Sequence, residues 1–233
     1  MSARIPGKQR GLIRSGTERN EILLKSNVIL LLALSMMIFV VPVIQIKDPH
    51  LIRVLLAIVV VSGLFAADFS RAAFRILVSI GTLAVLIALL NLVLPDSQAL
   101  SAITFTLNTL YFIVVTIALV AHVARAKEVF GSTLLCAINS FLLIGLTLSI
   151  LFLIMDLFLP GSFSQIEADR GSYSTFVYYG FVTLTTLGYG DITPDTSLAR
   201  SLSTFTALFG QLYLVIIMAI LIGKYLMAKQ PAE

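Results

Sequence analysis

The sequence predicts an all-α integral membrane protein with six transmembrane helices and a short re-entrant helix between the fifth and the sixth. Of its 233 residues, 58% are hydrophobic and only 12% are charged, whereas a soluble domain carries about 25% charged residues. The mean hydropathy is +1.01, which leaves too little polar surface to cover a water-soluble globule. These values exclude a soluble domain, a compact secreted domain and a disordered chain.

Six apolar stretches account for the predicted spans, since a helix needs about 20 mostly apolar residues to cross a bilayer. They are Val28–Ile46, Leu51–Ala67, Ala72–Leu94, Ala102–Ala124, Leu134–Leu159 and Leu198–Met227. The segments between them carry proline, aspartate and arginine, which are typical of loops. The second span is short, but six spans satisfy the orientation that the charges predict.

Basic residues predict that orientation. Twelve of the 16 Lys and Arg residues flank the side shared by both termini, and the other four are Lys47, Arg53, Arg170 and Arg200. Basic residues near spans collect on the cytoplasmic side. We therefore expect a multi-pass protein of the cell membrane with both termini in the cytoplasm. The basic N-terminal segment is better explained as a topology signal than as a nucleic-acid-binding arm, so no nucleic acid partner is expected.

The sequence contains few residues that could form a catalytic or cofactor-binding site. It has one cysteine, Cys136, and two histidines, His50 and His122, that lie far apart in the chain. Structural zinc and haem sites need clusters of such residues. The spans hold no facing carboxylates and no Ser/His pair, so we expect no catalysed reaction and no cofactor.

The connection between the fifth and sixth spans contains the segment 173–187, which is half-apolar and rich in aromatic residues and threonine. It is too short and too polar to span. Non-helical backbone at membrane depth is tolerated where protein buries it or where it lines a water-filled cavity. We predict a re-entrant helix, with Ser172 or Ser174 capping its N-terminus, followed by an extended loop.

That loop carries the sequence Thr-Leu-Thr-Thr-Leu-Gly-Tyr-Gly-Asp at 183–191. It resembles the selectivity filter of the tetrameric potassium channels, whose signature is TxxTxGYG followed by Asp. Each signature position is matched, by Thr183, Thr186, Gly188, Tyr189 and Gly190. Leu187 departs from the family, which more often has Val or Ile there. Tyr178 and Tyr179 also depart, since they stand where many voltage-gated members have paired tryptophans.

The resemblance implies that K⁺ is the permeant ion and that it is bound at Thr186, Leu187, Gly188 and Tyr189. Their backbone carbonyls, with the Thr186 hydroxyl, would replace the hydration shell of the ion. Gly188 and Gly190 would supply the alternate backbone conformations that glycine adopts readily. The filter would comprise residues 186–190. The two tyrosines would brace the Tyr189 side chain. The residues expected to support the filter are Thr183, Thr185, Tyr178, Tyr179 and Asp191.

The sixth span contains further candidates. Gly210 resembles the hinge glycine of the family's inner helix, and the alternative is a glycine that packs against the pore helix. We expect an apolar constriction near Ile220, followed by Gly223. Lys224 either places positive charge at the inner mouth or extends to the lipid headgroups. Only nine residues follow Lys224, so no sensor domain is expected there.

The fourth span does not resemble a voltage sensor. A sensor needs about three or four gating charges on its fourth helix, whereas residues 102–124 contain no Arg or Lys. We therefore divide the chain into a basic cytoplasmic tail (1–26), a sensor-like four-helix domain without gating charges (27–127), a pore domain (128–227) and a short tail (228–233). The short link between the fourth and fifth spans predicts that the four-helix domain packs on the pore domain of its own subunit.

Taken with the resemblance, these features predict a potassium-selective channel subunit of voltage-gated-like architecture that is not steeply voltage-dependent. One pore loop cannot enclose an axis, so the expected partners are three further copies in a homotetramer within the lipid bilayer. A non-selective cation channel and a non-conducting accessory subunit remain as alternatives. The compact chain favours a prokaryotic plasma membrane.

Overall fold

A computed structural model describes residues 7–40, 49–66, 69, 71–93, 98–126, 131–164 and 172–229. Within these ranges, the side chains of 7–20 and of several residues near helix ends are not described. The helices are α1 Gly7–Ser35, extended by a π-helical turn at Met36–Val40, α2 Pro49–Gly63, α3 Arg71–Val93, α4 Gln98–Arg125, α5 Gly131–Phe158, α6 Tyr173–Leu184 and α7 Ser197–Lys229. Two short strands, β1 Phe163–Ser164 and β2 Thr193–Pro194, pair antiparallel.

The fold is that of an integral membrane protein built from helices. Within the described ranges, four helices are long and apolar enough to cross a bilayer: Glu21–Val40, Ala102–Arg125, Gly131–Phe158 and Ser197–Met227. Two further apolar helices, Val54–Gly63 and Phe74–Leu90, are shorter. The sequence-based count of six spans therefore stays a prediction.

The basic N-terminal segment differs in form from a simple tail. Helix α1 begins at Gly7, well before the predicted start of the first span, so its backbone continues the helix of that span. Of the four basic residues predicted to lie on the opposite face, the side chains of Lys47, Arg53 and Arg170 are outside the described residues.

Helix α5 forms the centre of the molecule. About two thirds of its apolar window is buried (67%), against 28–39% for the other three long helices. Helices α1, α4 and α6 all pack along it. Helices α1 and α4 therefore lie against α5 of the same chain, and the packing of the whole four-helix domain on the pore domain of its own subunit stays a prediction.

A buried polar contact joins α1 to α5. The Asn139 amide donates to the backbone oxygen of Asn27 (2.9 Å) and to its Oδ1 (3.0 Å), and both residues are fully buried. Asn27 in turn donates to the carbonyl of Ala66, beyond the end of α2, at 2.7 Å. Hydrogen bonds between helices add to the packing that holds membrane helices together. This contact fixes the register of α1 against the central helix.

An aromatic contact fixes α4 against its neighbours. The Tyr111 hydroxyl donates to the Val60 carbonyl of α2 at 2.6 Å, and the residue is fully buried. Its ring lies against Gly63 of α2 and Gly81 of α3, where an added Cβ would approach a ring carbon to within 3.4 Å at each position. Small residues at both contacts let a large ring enter between the two helices.

Candidate functional site

Helix α6, which was predicted to be re-entrant, is held against α5 by close packing. A Cβ at Gly180 would clash with Ser149, and a Cβ at Gly145 would clash with the ring of Phe181. Both glycines therefore permit an approach that a larger residue would prevent. The helix begins at Tyr173 without a side-chain hydrogen bond from Ser172, its N-cap residue.

The predicted capping by a serine hydroxyl is wrong. The hydroxyls of Ser172 and Ser174 bond to each other at 2.9 Å. This mutual contact replaces the bond to a backbone N–H that a capping hydroxyl would make.

Directly after α6 the chain folds back over the end of the helix. The N–H of Thr186 donates to the Thr183 carbonyl at 3.0 Å, and those of Leu187 and Gly188 donate to the Val182 carbonyl at 3.0 and 3.2 Å. The Thr185 hydroxyl donates to the Phe181 carbonyl at 2.7 Å. The last carbonyls of α6 therefore accept hydrogen bonds from the loop that follows. These bonds fix the position of the first loop residues against the helix end.

The loop backbone alternates in conformation. Thr186, Gly188 and Gly190 have positive φ angles of 59°, 54° and 79°, and one residue separates each from the next. Glycine adopts such angles without cost, whereas a β-branched residue is strained there. Within the described residues Thr186 is the one non-glycine with a positive φ. The sequence indicated the two glycines, and extending their spacing of two backwards would have indicated Thr186.

Tyr178 and Asp191 enclose the outer end of the loop. The Tyr178 hydroxyl donates to the Asp191 carboxylate at 2.5 Å, and this hydrogen bond raises the pKa of Tyr178 to about 12. The Tyr178 ring is stacked parallel to that of Tyr189, with an interplanar angle of 9° and a centroid separation of 6.5 Å. Asp191 also accepts the N–H of Ile192 at 3.1 Å. Tyr178 thus contacts Tyr189 through its ring and holds Asp191 through its hydroxyl.

Tyr179 lies on the other face of α6. Its ring is 4.8 Å from that of Phe152 and 5.2 Å from that of Phe163, centroid to centroid. Its hydroxyl bonds to Ser203 of α7 at 2.6 Å, and its side chain also hydrogen-bonds to Thr183. Two neighbouring tyrosines are therefore divided within this chain: Tyr178 contacts the loop, and Tyr179 ties α6 to α5 and α7.

Gly210 marks where α7 meets the end of α6. A Cβ at Gly210 would clash with the carbonyl oxygen of Leu184, the last residue of α6. Helix α7 runs through Gly210 without interruption. The contact matches the packing alternative for this glycine. Gly223 has open space around it, and Ile220 is partly buried.

Gln211, which the sequence did not single out, contacts the loop directly. Its Nε2 donates to the Thr186 hydroxyl oxygen at 3.0 Å. Two residues further on, Tyr213 donates to the Ala137 carbonyl of α5 at 2.7 Å. No local pattern distinguishes an exposed glutamine in a long apolar helix, because its partner lies 25 residues away.

Lys224 makes a contact within the chain that the sequence did not indicate. Its Nζ donates to the carbonyls of Val123 and Ala124 at 2.7 and 2.8 Å, which are among the last carbonyls of α4. A cation there interacts favourably with the negative end of the helix dipole. The end of α7 is thereby attached to the end of α4.

The loop is open to its surroundings in the single chain. Residues 185–191 are exposed, with Leu187 at 55% and Tyr189 at 66%. Within the described residues, no group of three or more His, Cys, Asp and Glu side chains could hold a metal ion.

Comparison with known proteins identifies the part of the chain that contains this site. Residues 140–227 match the family model Ion_trans_2, described as an ion channel. The potassium voltage-gated channel subfamily KQT member 4 of human, rat and mouse is 48% identical over 44 residues. That segment is 19% of this chain and 6% of each relative. No solved structure matches significantly.

These matches agree with the helical architecture. Residues 140–227 resemble an ion channel domain, the described helices include four that are long and apolar enough to cross a membrane, and the partial similarity supports a potassium channel family.

Proposed function

We propose that the chain is a subunit of a potassium-selective channel that conducts K⁺ passively through a fourfold pore. The alternating φ signs at 186–190 carry the proposal. In an ordinary strand, successive carbonyls point to opposite sides. A reversal of φ at every second residue instead allows successive carbonyls to face the same side. Such a row of oxygens replaces the hydration shell of a dehydrated K⁺ ion.

Four copies are needed to complete this site. One chain supplies one row of carbonyls, and at membrane depth its polar groups have no water to satisfy them. In the single chain the loop at 186–190 and apolar side chains of α7, such as Leu212, Val215 and Met218, form exposed surface. Head-to-tail contacts around a closed axis would cover that surface and bring four rows together around the ions.

Steep voltage dependence is not part of the proposal. Helix α4 has no Arg or Lys between residues 102 and 124, so it has no gating charge for the membrane field to move. The Tyr111 contact with α2 and α3 also opposes sliding of α4, because a shift would withdraw the ring from Gly63 and Gly81. We expect the four-helix domain (27–127) to be a rigid support.

Two alternatives predict different outcomes. A non-selective cation channel would follow if Leu187, at the position where the potassium channels more often have Val or Ile, loosens the filter. A non-conducting accessory subunit would use the loop for structure alone. A non-selective channel would pass Na⁺ as well as K⁺, whereas the proposed channel passes K⁺ alone. A non-conducting accessory subunit would pass neither ion.

The test is ion flux from proteoliposomes loaded with K⁺ or with Na⁺, comparing Gly188→Ala with Gly161→Ala. Both glycines have positive φ angles, 54° and 87°, and neither has an atom within 4 Å of an added Cβ. Each substitution therefore adds a similar backbone strain of about 1–3 kcal/mol, but only Gly188 lies in the segment 186–190. We expect K⁺ flux without Na⁺ flux in the parent and in Gly161→Ala, and reduced or unselective flux in Gly188→Ala. Equal effects of the two variants would contradict a filter at 186–190.

A further inference from the structure

The contact between Gln211 and Thr186 links the inner helix to the first residue of the alternating segment. The Gln211 Nε2 donates to the Thr186 hydroxyl oxygen at 3.0 Å. Thr186 is a β-branched residue with φ of 59°, a conformation that persists only where the surroundings hold it. Its N–H is already bonded to the Thr183 carbonyl. The amide of Gln211 therefore supplies a second constraint, on the side chain.

This constraint determines which lone pairs of the hydroxyl are available. A threonine hydroxyl has one hydrogen to donate and two acceptor lone pairs, and it normally rotates to suit its partners. The Gln211 amide occupies one lone pair. One lone pair remains for another ligand, and the hydroxyl hydrogen must point away from both. The Thr186 hydroxyl, which would otherwise rotate freely, thus presents its oxygen in a fixed orientation.

Gln211 is well placed for this role because the inner helix is fixed on either side of it. Gly210 brings α7 against the Leu184 carbonyl at the end of α6. Tyr213 attaches the next part of the helix to α5, through the Ala137 carbonyl at 2.7 Å and through ring contact with Phe141. Its hydroxyl also bonds to Ser140. The amide donor is therefore held by contacts that do not involve the filter.

We propose that Gln211 is a positioning residue that orients the Thr186 hydroxyl as the innermost oxygen ligand for the permeant cation, and so contributes to cation affinity and selectivity. The inference rests on the proposed function, since the hydroxyl is a ligand only if the loop is a filter. It assigns to the inner helix a part in ion recognition in addition to lining the pore.

The experiment is a double-mutant cycle between Gln211→Met and Thr186→Val in the purified full-length protein. Met keeps the length of the side chain without a donor, and Val keeps the β-branch without a hydroxyl. K⁺ binding is measured by isothermal titration, and selectivity by the reversal potential in bilayers with K⁺ opposite Na⁺. Thr204→Val is the control, because the Thr204 hydroxyl on the same helix bonds only to the Arg200 carbonyl, at 2.9 Å.

Loss of one neutral hydrogen bond predicts about a fivefold decrease in K⁺ affinity for Gln211→Met, with a reversal potential shifted towards that of an unselective pore. In the Thr186→Val background, the same substitution is expected to have no further effect. Thr204→Val is expected to bind K⁺ like the parent.

Three outcomes would overturn the inference. These are unchanged K⁺ affinity in Gln211→Met, an undiminished effect of that substitution in the Thr186→Val background, and an equal effect of Thr204→Val. Absence of K⁺ binding in the parent would instead refute the proposed function. The two failures are therefore distinguishable. Should Thr186→Val not assemble, Thr186→Ser, which keeps the hydroxyl, is expected to retain the Gln211 effect, and its absence there would also overturn the inference.

Discussion

The contact between Gly210 and the end of α6 predicts that two glycines of the same helix respond in opposite ways to alanine. At Gly223, an added Cβ meets nothing within 4 Å. Alanine there removes the cost of glycine in a helix interior, and we expect the protein to gain about 1 kcal/mol of stability. At Gly210, the same methyl group meets the Leu184 carbonyl oxygen, a backbone atom that cannot move aside by changing rotamer.

The magnitude at Gly210 follows from two opposing terms. Overpacking of a tight contact costs about 1–3 kcal/mol, and the helix preference for alanine returns about 1 kcal/mol. We expect a net loss of about 1 kcal/mol for Gly210→Ala, so the two variants should differ by about 2 kcal/mol. Because Leu184 ends the helix that leads into the loop, ion flux should also fall in Gly210→Ala and remain unchanged in Gly223→Ala.

The assay is unfolding of the purified protein in mixed detergent and dodecyl sulfate micelles, followed by circular dichroism. The parent, Gly210→Ala and Gly223→Ala are compared at the same protein and K⁺ concentrations. Equal stabilisation by both substitutions would refute the close approach at Gly210. Unchanged stability with impaired opening would instead favour the hinge role that the sequence resemblance implied.

Two further predictions concern polar contacts at the two ends of the pore domain. Lys224→Met should lower stability by about 1–2 kcal/mol, because it removes a cationic donor from the terminal carbonyls of α4. Tyr225→Phe, at an exposed neighbouring residue, serves as its control in the same unfolding assay. Tyr178→Phe should keep the ring stacked on Tyr189 but release Asp191. In the parent, the raised pKa of Tyr178 contributes stability that is complete below pH 10 and lost as pH rises from 10 to about 12. That alkaline loss should be smaller in Tyr178→Phe, and an identical profile would contradict the bond to Asp191.

The sequence predicted the features that depend on local pattern. Uninterrupted apolar runs indicated α5 and α7, because a helix buried or in lipid needs no polar face. The spacing of Gly188 and Gly190 indicated their positive φ angles, because few other residues adopt them. Each of these expectations depends on residues close together in the sequence.

Features that depend on contacts between distant residues could not be predicted in this way. The partners of Lys224 lie about one hundred residues earlier in the chain, and the partner of Gln211 is 25 residues away. The choice between hinge and packing for Gly210 likewise required the position of Leu184. Tyr178 and Tyr179 have the same chemistry and adjacent positions, and only the packing of α6 assigns them to different faces.

The central claim is that residues 186–190 select K⁺, and its most direct test is the reversal potential of single channels in planar bilayers. The purified protein is recorded with K⁺ on one side and Na⁺ on the other, while the voltage is swept through both signs. We predict a reversal potential close to the K⁺ equilibrium value and an open probability that changes little with voltage. A reversal near zero would show that the loop does not select K⁺, and a steep dependence on voltage would contradict the role assigned to α4.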